Sequence, residues 1–235
     1  MLKNSVDDLD TGAYIAGEPK KRKSSGKPAI RKKYQRTLIN FYDHDTEGQF
    51  ELWWDAFKMH SKDLFTDMEL EQKVFPSSSI VKSTKEYDSK KLDSFVDVLK
   101  EFRPSDLPSI NGSPKVLIVT LSAIRAVDII RSLKNIQSKF KLGKLFSKHK
   151  KLQDQRLFLD TNLVEFAVGT PDRLCKLFEE CLKDDEIELL VIDTGRDAKE
   201  RNIVEMPETK GKLFELVHSH LIKRLNSESC KLLFY

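Results

Sequence analysis

A segment with phosphate-binding chemistry, Gly169 to Leu174, has the sequence Gly-Thr-Pro-Asp-Arg-Leu and joins an apolar run to a helical pattern. Thr170 suits the N-cap of a helix, Pro171 suits its first turn, and Asp172 complements the helix dipole. These preferences explain the segment as a helix start. Free N–H groups at a helix N-terminus beside an arginine, here Arg173, also form a phosphate-binding site. Both interpretations follow from the same residues.

Polar residues also follow two other apolar runs. Ser122 and Arg125 come after the run 115–120, and Asp193 ends the run 188–193. Open α/β sheets bind their ligands beyond the carboxyl ends of the strands. We therefore expect one edge of the sheet to be a ligand site, lined by Ser122, Arg125, Thr170 and Arg173.

A basic stretch from Ile129 to Gln153 contains eight Lys or Arg residues and no acid. The rest of the predicted folded region is net acidic, so this stretch predicts a local positive patch that binds phosphates. The alternative is a merely solvated helix and loop face. The lysines assigned to the patch are Lys134, Lys139, Lys141, Lys144, Lys148, Lys150 and Lys151.

The N-terminal tail carries all the excess positive charge. Residues 1–36 hold ten Lys or Arg against four Asp or Glu, whereas the formal charge of the whole chain is +4. The tail is rich in Gly, Pro and Ser, so we expect it to be disordered. Its two basic clusters are typical of a nuclear-import signal or a nucleic-acid-contacting arm, the alternative being a solubilising tail. The import residues are Lys20, Lys21, Arg22, Lys23, Arg31, Lys32 and Lys33.

Several function classes are excluded by the sequence. No apolar run approaches the roughly 18 residues of a membrane span, and no signal-peptide pattern opens the chain, so we expect an intracellular protein. The three cysteines, Cys175, Cys181 and Cys230, match neither a disulfide framework nor a paired zinc motif. His218 and His220 are two positions apart, so on a helix they point to different faces. We therefore expect no metal and no cofactor.

A regular alternation of strands and helices must position these residues. Short apolar runs favour strands covered on both faces, and their alternation with helical patterns favours a parallel sheet with helices on both sides. The sequence thus predicts an α/β three-layer fold. The predicted strands are 115–120, 144–147, 164–169, 188–193 and 231–235, and the predicted helices are 122–139, 171–183 and 207–226.

Helical material precedes this alternation. Phe50, Trp53, Trp54 and Phe57 follow the i, i+3, i+4, i+7 spacing of one helix face. Large aromatics dominate interface hot spots, so Trp53, Trp54 and Phe57 are candidates for partner docking. Packing on the protein's own core is the equal alternative. A second helical pattern begins near residue 90 and ends before Pro104.

The motifs, in their order along the chain, resemble those of DEAD-box RNA helicases. In that family a TPGR element lies on the RNA backbone, and the Gly-Thr-Pro-Asp-Arg segment is similar to it. The other matches are 116–133 to the motif Ia strand and helix, 188–194 to the strand ending in the DEAD tetrapeptide, and 231–235 to the strand before the SAT motif. The resemblance implies a RecA-like, P-loop NTPase-like fold with Ser122, Arg125, Thr170 and Arg173 directed toward RNA.

The chain departs from the helicases where ATP is bound and hydrolysed. A P-loop requires G-x-x-x-x-G-K-[ST], but the Gly-Lys pairs at Lys27, Lys144 and Lys212 are followed by Pro or Leu. Thr194 replaces the catalytic Glu after Asp193, and a hydroxyl is no general base at neutral pH. The sequence also ends before any SAT motif or second RecA-like domain. We therefore expect no enzyme, with a weak ATPase as the remote alternative.

A closer resemblance is to the U3-containing 90S pre-ribosomal complex subunit family, small nucleolar proteins related to DEAD-box helicases. It covers about residues 50–235 and is carried by 68–71 before Phe75-Pro76, 121–134, 144–155, 167–174 and 228–235. It implies a non-catalytic role in the small-subunit processome, in the nucleus and nucleolus. The implied partners are pre-rRNA, the U3 snoRNP and processome proteins, with no small-molecule substrate.

The predicted organisation has three parts: a tail at 1–36, a helical segment at 37–110 that packs on the domain or a partner, and a degenerate RecA-like domain at 111–235. The leading hypothesis is a ribosome-biogenesis factor that binds pre-rRNA or processome proteins without consuming ATP. The alternative is a pure protein-interaction module or helicase partner that lacks RNA binding.

Overall fold

Six parallel strands form one sheet, in the order β1-β6-β5-β2-β4-β3. The computed structural model describes residues 38–85, 92–104, 106–134, 136 and 139–235. The strands are β1 Ile80–Val81, β2 Val116–Val119, β3 Lys141–Leu145, β4 Val164–Gly169, β5 Leu189–Ile192 and β6 Lys231–Phe234. Strands β2, β4 and β5 are buried along their whole length, as expected for apolar runs covered on both faces.

Helices cover both faces of the sheet. They are α1 Thr46–Ser61, α2 Asp67–Glu71, α3 Asp93–Glu101, α4 Ala123–Leu133, α5 Leu152–Thr161, α6 Pro171–Phe178, α7 Pro207–Glu215 and α8 Ile222–Asn226. A π-helical turn, Leu216–Leu221, joins α7 to α8. One core packs α3 and α4 on the sheet, and the other packs α1 and α5 to α8 on the opposite face. The predicted α/β three-layer fold is confirmed.

The register of the central strands places the predicted ligand-site residues at one level. Val119 of β2 pairs with both Gly169 of β4 and Ile192 of β5. The residues that follow these three strands therefore leave the sheet side by side. Asp193 and Thr170 are two of these residues. They lie at the same edge of the sheet, formed by the carboxyl ends of the strands, as the sequence predicted.

Strand β3 and helix α5 differ from the sequence prediction. The strand was predicted at 144–147 and lies at Lys141–Leu145, with a register shift between Lys141 and Gly143. It is an edge strand, and Lys141 and Lys144 are exposed, so its apolar pattern is weak. Helix α5 was not predicted, because the Lys-rich run before it obscures its start.

Helix α1 packs on the protein's own core. Trp53 is fully buried and Phe57 is 2% exposed. Trp53 Nε1 donates to His218 Nε2 at 3.0 Å, and the ring of Phe57 stacks on His218. The prediction that these two residues dock a partner is therefore wrong, because the amphipathic face of α1 is used for folding. Trp54 is half-buried beside Phe57.

The segment 37–110 is part of the same unit as the sheet. Thr37–Tyr235 forms one compact unit, and Ile80–Val81 pairs with Leu232–Leu233 as the outermost strand. That two-residue strand is too short to be predicted from an apolar pattern. The predicted disordered tail and the import clusters at Lys20–Lys23 and Arg31–Lys33 lie outside the described residues. Among the helices that the structure describes, none has the length and apolarity of a membrane span.

Candidate nucleic-acid interface

Asp193 lies at the carboxyl end of β5 and is fully buried. Its Oδ2 accepts hydrogen bonds from Thr120 Oγ1 and Arg125 Nε, both at 2.9 Å. Its Oδ1 accepts from Arg125 Nη2 at 2.9 Å and from the Gly195 backbone N–H at 3.2 Å. Four donors therefore occupy the roughly four lone-pair positions of the carboxylate. In this arrangement Asp193 presents no lone pair to a cation.

The loop after β5 is shaped to admit the arginine. A Cβ atom at Gly195 would lie 2.9 Å from Arg125 Nη2 and 3.0 Å from Asp193 Oδ1, so only glycine leaves room for the ion pair. Thr194 donates its hydroxyl to the Tyr235 carbonyl at 2.8 Å. Hydrogen bonds to Asp193 and to the Tyr235 carbonyl thus fix the start of this loop.

Arg125 was predicted to face RNA, and the structure corrects this. Its side chain is 18% exposed and is bound bidentately to Asp193. A bidentate guanidinium–carboxylate pair is a strong, directional contact that a phosphate would have to break. The predicted residues Ser122 and Arg125 therefore separate: Ser122 Oγ caps α4 by accepting the Arg125 N–H, and Arg125 turns inward.

Thr170 and Arg173 lie at the start of α6, as predicted. Thr170 occupies the N-cap position, but its hydroxyl makes no capping hydrogen bond within the described part of the chain. Its N–H instead donates to the Leu145 carbonyl at 3.3 Å, which joins it to the end of β3. Thr170 thus keeps its hydroxyl at the edge of the sheet.

Arg173 has an internal role that the sequence did not indicate. Its Nη1 donates to Gln155 Oε1 at 2.7 Å and to the Lys150 carbonyl at 3.2 Å. Its Nε is buried and lacks a hydrogen-bond partner among the described residues. The guanidinium therefore ties α6 to the start of α5, and contact of its half-exposed remainder with RNA stays a prediction.

Gln155 is the residue that sequence reasoning missed. It is 4% exposed, and its Nε2 donates to the carbonyls of Lys144 and Phe146 at 2.7 and 3.0 Å. Together with Arg173 it fixes the end of β3 and the loop that follows. The only available signal was its position in the 144–155 segment that carried the family resemblance.

The seven predicted patch lysines are all exposed. Among the residues that the structure describes, none of them forms an ion pair with a carboxylate. By contrast, Lys58, Lys100, Lys176 and Lys231 are each paired with an acid three or four residues away. The lysines of the patch are therefore not offset by ion-pair partners within the described residues.

Four of these lysines surround one cleft. A cavity of about 540 Å³ beside the edge strand β3 is lined by Lys134, Lys141, Lys144 and Lys150. His149 also lines the cleft, and Asp154 is the one acid among the described lining residues. The remaining lining includes the apolar side chains Ile130, Leu142 and Phe158. Such a cleft has cations around an aromatic and aliphatic floor. It suits a single-stranded nucleic acid, which presents both phosphates and bases.

The other three lysines lie elsewhere. Lys148 borders a separate cleft of about 330 Å³ next to α4, with Ile124 and Phe146. Lys139 and Lys151 are exposed outside both clefts. The structure thus divides the predicted patch into a central cleft and a flanking group.

Comparison with known proteins agrees with the resemblance found in the sequence. Residues 20–235 match the CMS1 family, described as "U3-containing 90S pre-ribosomal complex subunit". Protein CMS1 of Chaetomium thermophilum is 33% identical over 181 residues, covering 72% of this chain and 72% of the relative. Human CMSS1 is 34% identical over 172 residues, covering 70% and 60%.

The chain is shorter than some of these relatives. It spans 63% of the Schizosaccharomyces pombe protein cms1, with 27% identity over 175 residues. Among solved structures, a DEAD box protein from the hyperthermophile Methanococcus jannaschii superposes with a TM-score of 0.46 at 17% identity, over 85% of this chain and 48% of that one. On the sequence relationships, the chain belongs to the CMS1 family of U3-containing 90S pre-ribosomal complex subunits.

Proposed function

We propose that the protein is a non-catalytic subunit of the 90S pre-ribosome that binds single-stranded segments of pre-rRNA through the lysine-lined cleft beside β3. Its other partners are the U3 snoRNP and processome proteins. The family description supports membership of the 90S pre-ribosome, and the lysine-lined cleft supports RNA as the ligand. The observation that carries the proposal is the group of exposed lysines without acid partners, four of them around one cleft.

The side chains of the cleft suit both the phosphates and the bases of a single-stranded RNA. Lysine ammonium groups neutralise phosphates and release counterions, which supplies most sequence-independent affinity. Base stacking on an aromatic side chain adds about 1–3 kcal/mol for each base. Phe158 and Leu142 give the cleft such a floor. Ser122 and Thr170 at the neighbouring strand ends extend the surface, and Arg173 holds the loop in place.

A non-catalytic role is supported by the state of Asp193. A metal-dependent ATPase needs a carboxylate that faces magnesium and a phosphate cradle. Here Asp193 is bound by Thr120, Arg125 and Gly195, and the Gly-Lys pairs of the sequence lack the P-loop continuation. We therefore propose that the domain does not hydrolyse ATP.

Fluorescence anisotropy with a labelled single-stranded RNA tests the cleft. The double variant Lys141→Glu/Lys144→Glu of the full chain is expected to bind at least about tenfold more weakly, since two phosphate contacts become repulsions. The matched control is Lys62→Glu/Lys223→Glu, which changes the net charge equally at exposed positions outside the cleft. Equal affinities of the two variants would favour a protein-interaction module instead.

The basic clusters of the tail and the proposed membership of the 90S pre-ribosome predict a nuclear and nucleolar location. We expect a fluorescent fusion of the full chain to accumulate in the nucleolus. Deletion of residues 19–36 removes nine Lys or Arg residues and is expected to move the fusion out of the nucleus. Microscopy measures the nuclear-to-cytoplasmic ratio, and an unchanged ratio would show that the import signal lies elsewhere.

A further inference from the structure

Three side chains of metal-ligating type meet where α6 packs against the helix formed by α7 and α8. Cys175 lies on α6, Glu215 ends α7, and His220 lies in the π turn. The ligand atoms of the three residues all lie within 4.8 Å of one another. In the described part of the chain this is the group of His, Cys, Asp and Glu residues that meets these distances. The sequence spacing did not reveal it, because the residues come from separate elements.

The π turn brings two of these ligands to the same side. In an α-helix, residues five positions apart are separated by about 140° around the axis. A π turn closes its hydrogen bonds between residues five apart, so Glu215 and His220 come nearly into line. The turn Leu216–Leu221 begins directly after Glu215 and contains His220. Such turns inside α-helices occur frequently at functional sites.

The charges around Cys175 favour a cation. Carboxylates of Glu215, Asp172 and Glu179 act on the thiol, against one ammonium group, Lys212. Asp172 is itself paired with Lys176 at 2.9 Å. The same carboxylates would stabilise a divalent ion bound to the thiolate.

Lys212 contacts two of the three residues. Lys212 Nζ lies 2.9 and 2.6 Å from the two carboxylate oxygens of Glu215. The Cys175 thiol donates to the Lys212 carbonyl at 3.3 Å. Lys212 is 44% exposed, so its flexible side chain has solvent into which to move. The ring of His220 stacks on Phe178 at 5.0 Å, which holds its orientation.

We propose that Cys175, Glu215 and His220 form a binding site for Zn²⁺, with water as the fourth ligand. A thiolate, an imidazole and a carboxylate are all zinc ligands, and four-coordination is usual. Glu215 and His220 are half-exposed, so water reaches the open position. On binding, the Sγ–H bond of Cys175 breaks, a Zn–S bond forms and the proton passes to solvent. The ion would tie α6 to the helix that follows Pro207.

Titration calorimetry of the metal-free full chain with ZnCl₂ tests the site. We expect saturable binding of one Zn²⁺ for each chain. Co²⁺ replaces Zn²⁺ as a spectroscopic probe, and a thiolate-to-cobalt charge-transfer band is expected. The band identifies the cysteine ligand directly.

Single variants identify the ligands. Cys175→Ser and His220→Asn are each expected to weaken Zn²⁺ binding at least about tenfold, while Cys181→Ser, at another buried cysteine, leaves it unchanged. His220→Asn changes a half-exposed residue, so it decides the question if Cys175→Ser fails to fold. Absence of saturable binding, or full binding by both ligand variants, would overturn the proposal.

Discussion

Asp193 and Arg125 form an ion pair at the carboxyl end of β5. The carboxylate is fully buried and the guanidinium is 18% exposed, so solvent screens the attraction between the two charges only weakly. Removal of one partner from such a pair leaves an uncompensated charge in the interior. The Asp193 carboxylate therefore binds the Arg125 guanidinium and the Gly195 N–H at the start of the loop after β5.

We predict that Arg125→Leu lowers the free energy of unfolding by about 3–5 kcal/mol, because the Asp193 carboxylate stays buried without its ion-pair partner. Urea denaturation measures the change. Arg131→Leu is the matched control on the same helix α4, since its pair with Asp128 is 70% and 42% exposed. The control is expected to change stability by no more than about 1 kcal/mol. A loss for Arg125→Leu as small as that of the control would contradict a structural role for the pair.

His218 links stability to pH. Burial lowers its pKa from 6.5 to about 3, against a smaller raising effect of its hydrogen bond to the Lys73 carbonyl. The neutral ring is fixed in one tautomer: Nε2 accepts from Trp53 Nε1, so Nδ1 carries the proton that it donates to Lys73. Below pH 6.5 the unfolded chain binds a proton that the folded chain does not. The contribution to stability is therefore complete above pH 6.5 and is lost as the pH falls toward 3.

We predict a loss of about 2 kcal/mol in unfolding free energy between pH 7 and pH 5 from this residue, at about 1.4 kcal/mol for each pH unit below 6.5. The measurement compares urea curves of the wild type and His218→Gln at both pH values. The variant is less stable overall, but the pH-dependent part of its stability should shrink. The same slope in both proteins would refute the linkage.

At the scale of elements, α5, α6 and the end of β3 form one hydrogen-bonded junction. Gln155 on α5 bonds the Lys144 and Phe146 carbonyls, and Arg173 on α6 bonds Gln155 and Lys150. The junction positions the lysine-bearing loop with respect to the sheet. The sequence indicated a phosphate clamp at Arg173; the structure adds a packing role to the same side chain.

We predict that Arg173→Ala lowers stability by about 1–3 kcal/mol, since the buried Gln155 Oε1 loses its donor. Thermal and urea unfolding measure the loss. Lys176→Ala on the same helix is the control, because its pair with Asp172 is about half-exposed. If Arg173→Ala weakens RNA binding at unchanged stability, the clamp interpretation is correct and the junction is unimportant.

The elements that the sequence predicted well are those that are buried on both faces. Strand β4 was predicted with its observed bounds, and β2 and β5 were predicted to within one residue at each end. The helix predicted at 207–226 is interrupted by a π turn, which no spacing of apolar residues indicates. The direction of side chains was the other property that the sequence did not show: Arg125 points inward to Asp193, where Gly195 leaves room for it.

At the scale of the whole molecule, positive charge is concentrated at two places along the chain, the tail and the cleft beside β3. Net composition hides this, because the formal charge is only +4. The sequence located both concentrations, since charge is read directly from residue types. It did not show which lysines share a cleft, because the turn between β3 and α5 decides that.

Salt dependence separates the two concentrations of charge. For single-stranded RNA, log K falls with log salt by about 0.7 for each phosphate neutralised. We predict that Lys141→Glu/Lys144→Glu makes this slope shallower by about 1.4, and that deletion of residues 19–36 makes it shallower by a further, independent amount. Anisotropy titrations between low and physiological salt measure both slopes. If the deletion alone removes all binding, the cleft is not an RNA site; if the double variant alone does so, the tail acts in import and contributes no affinity.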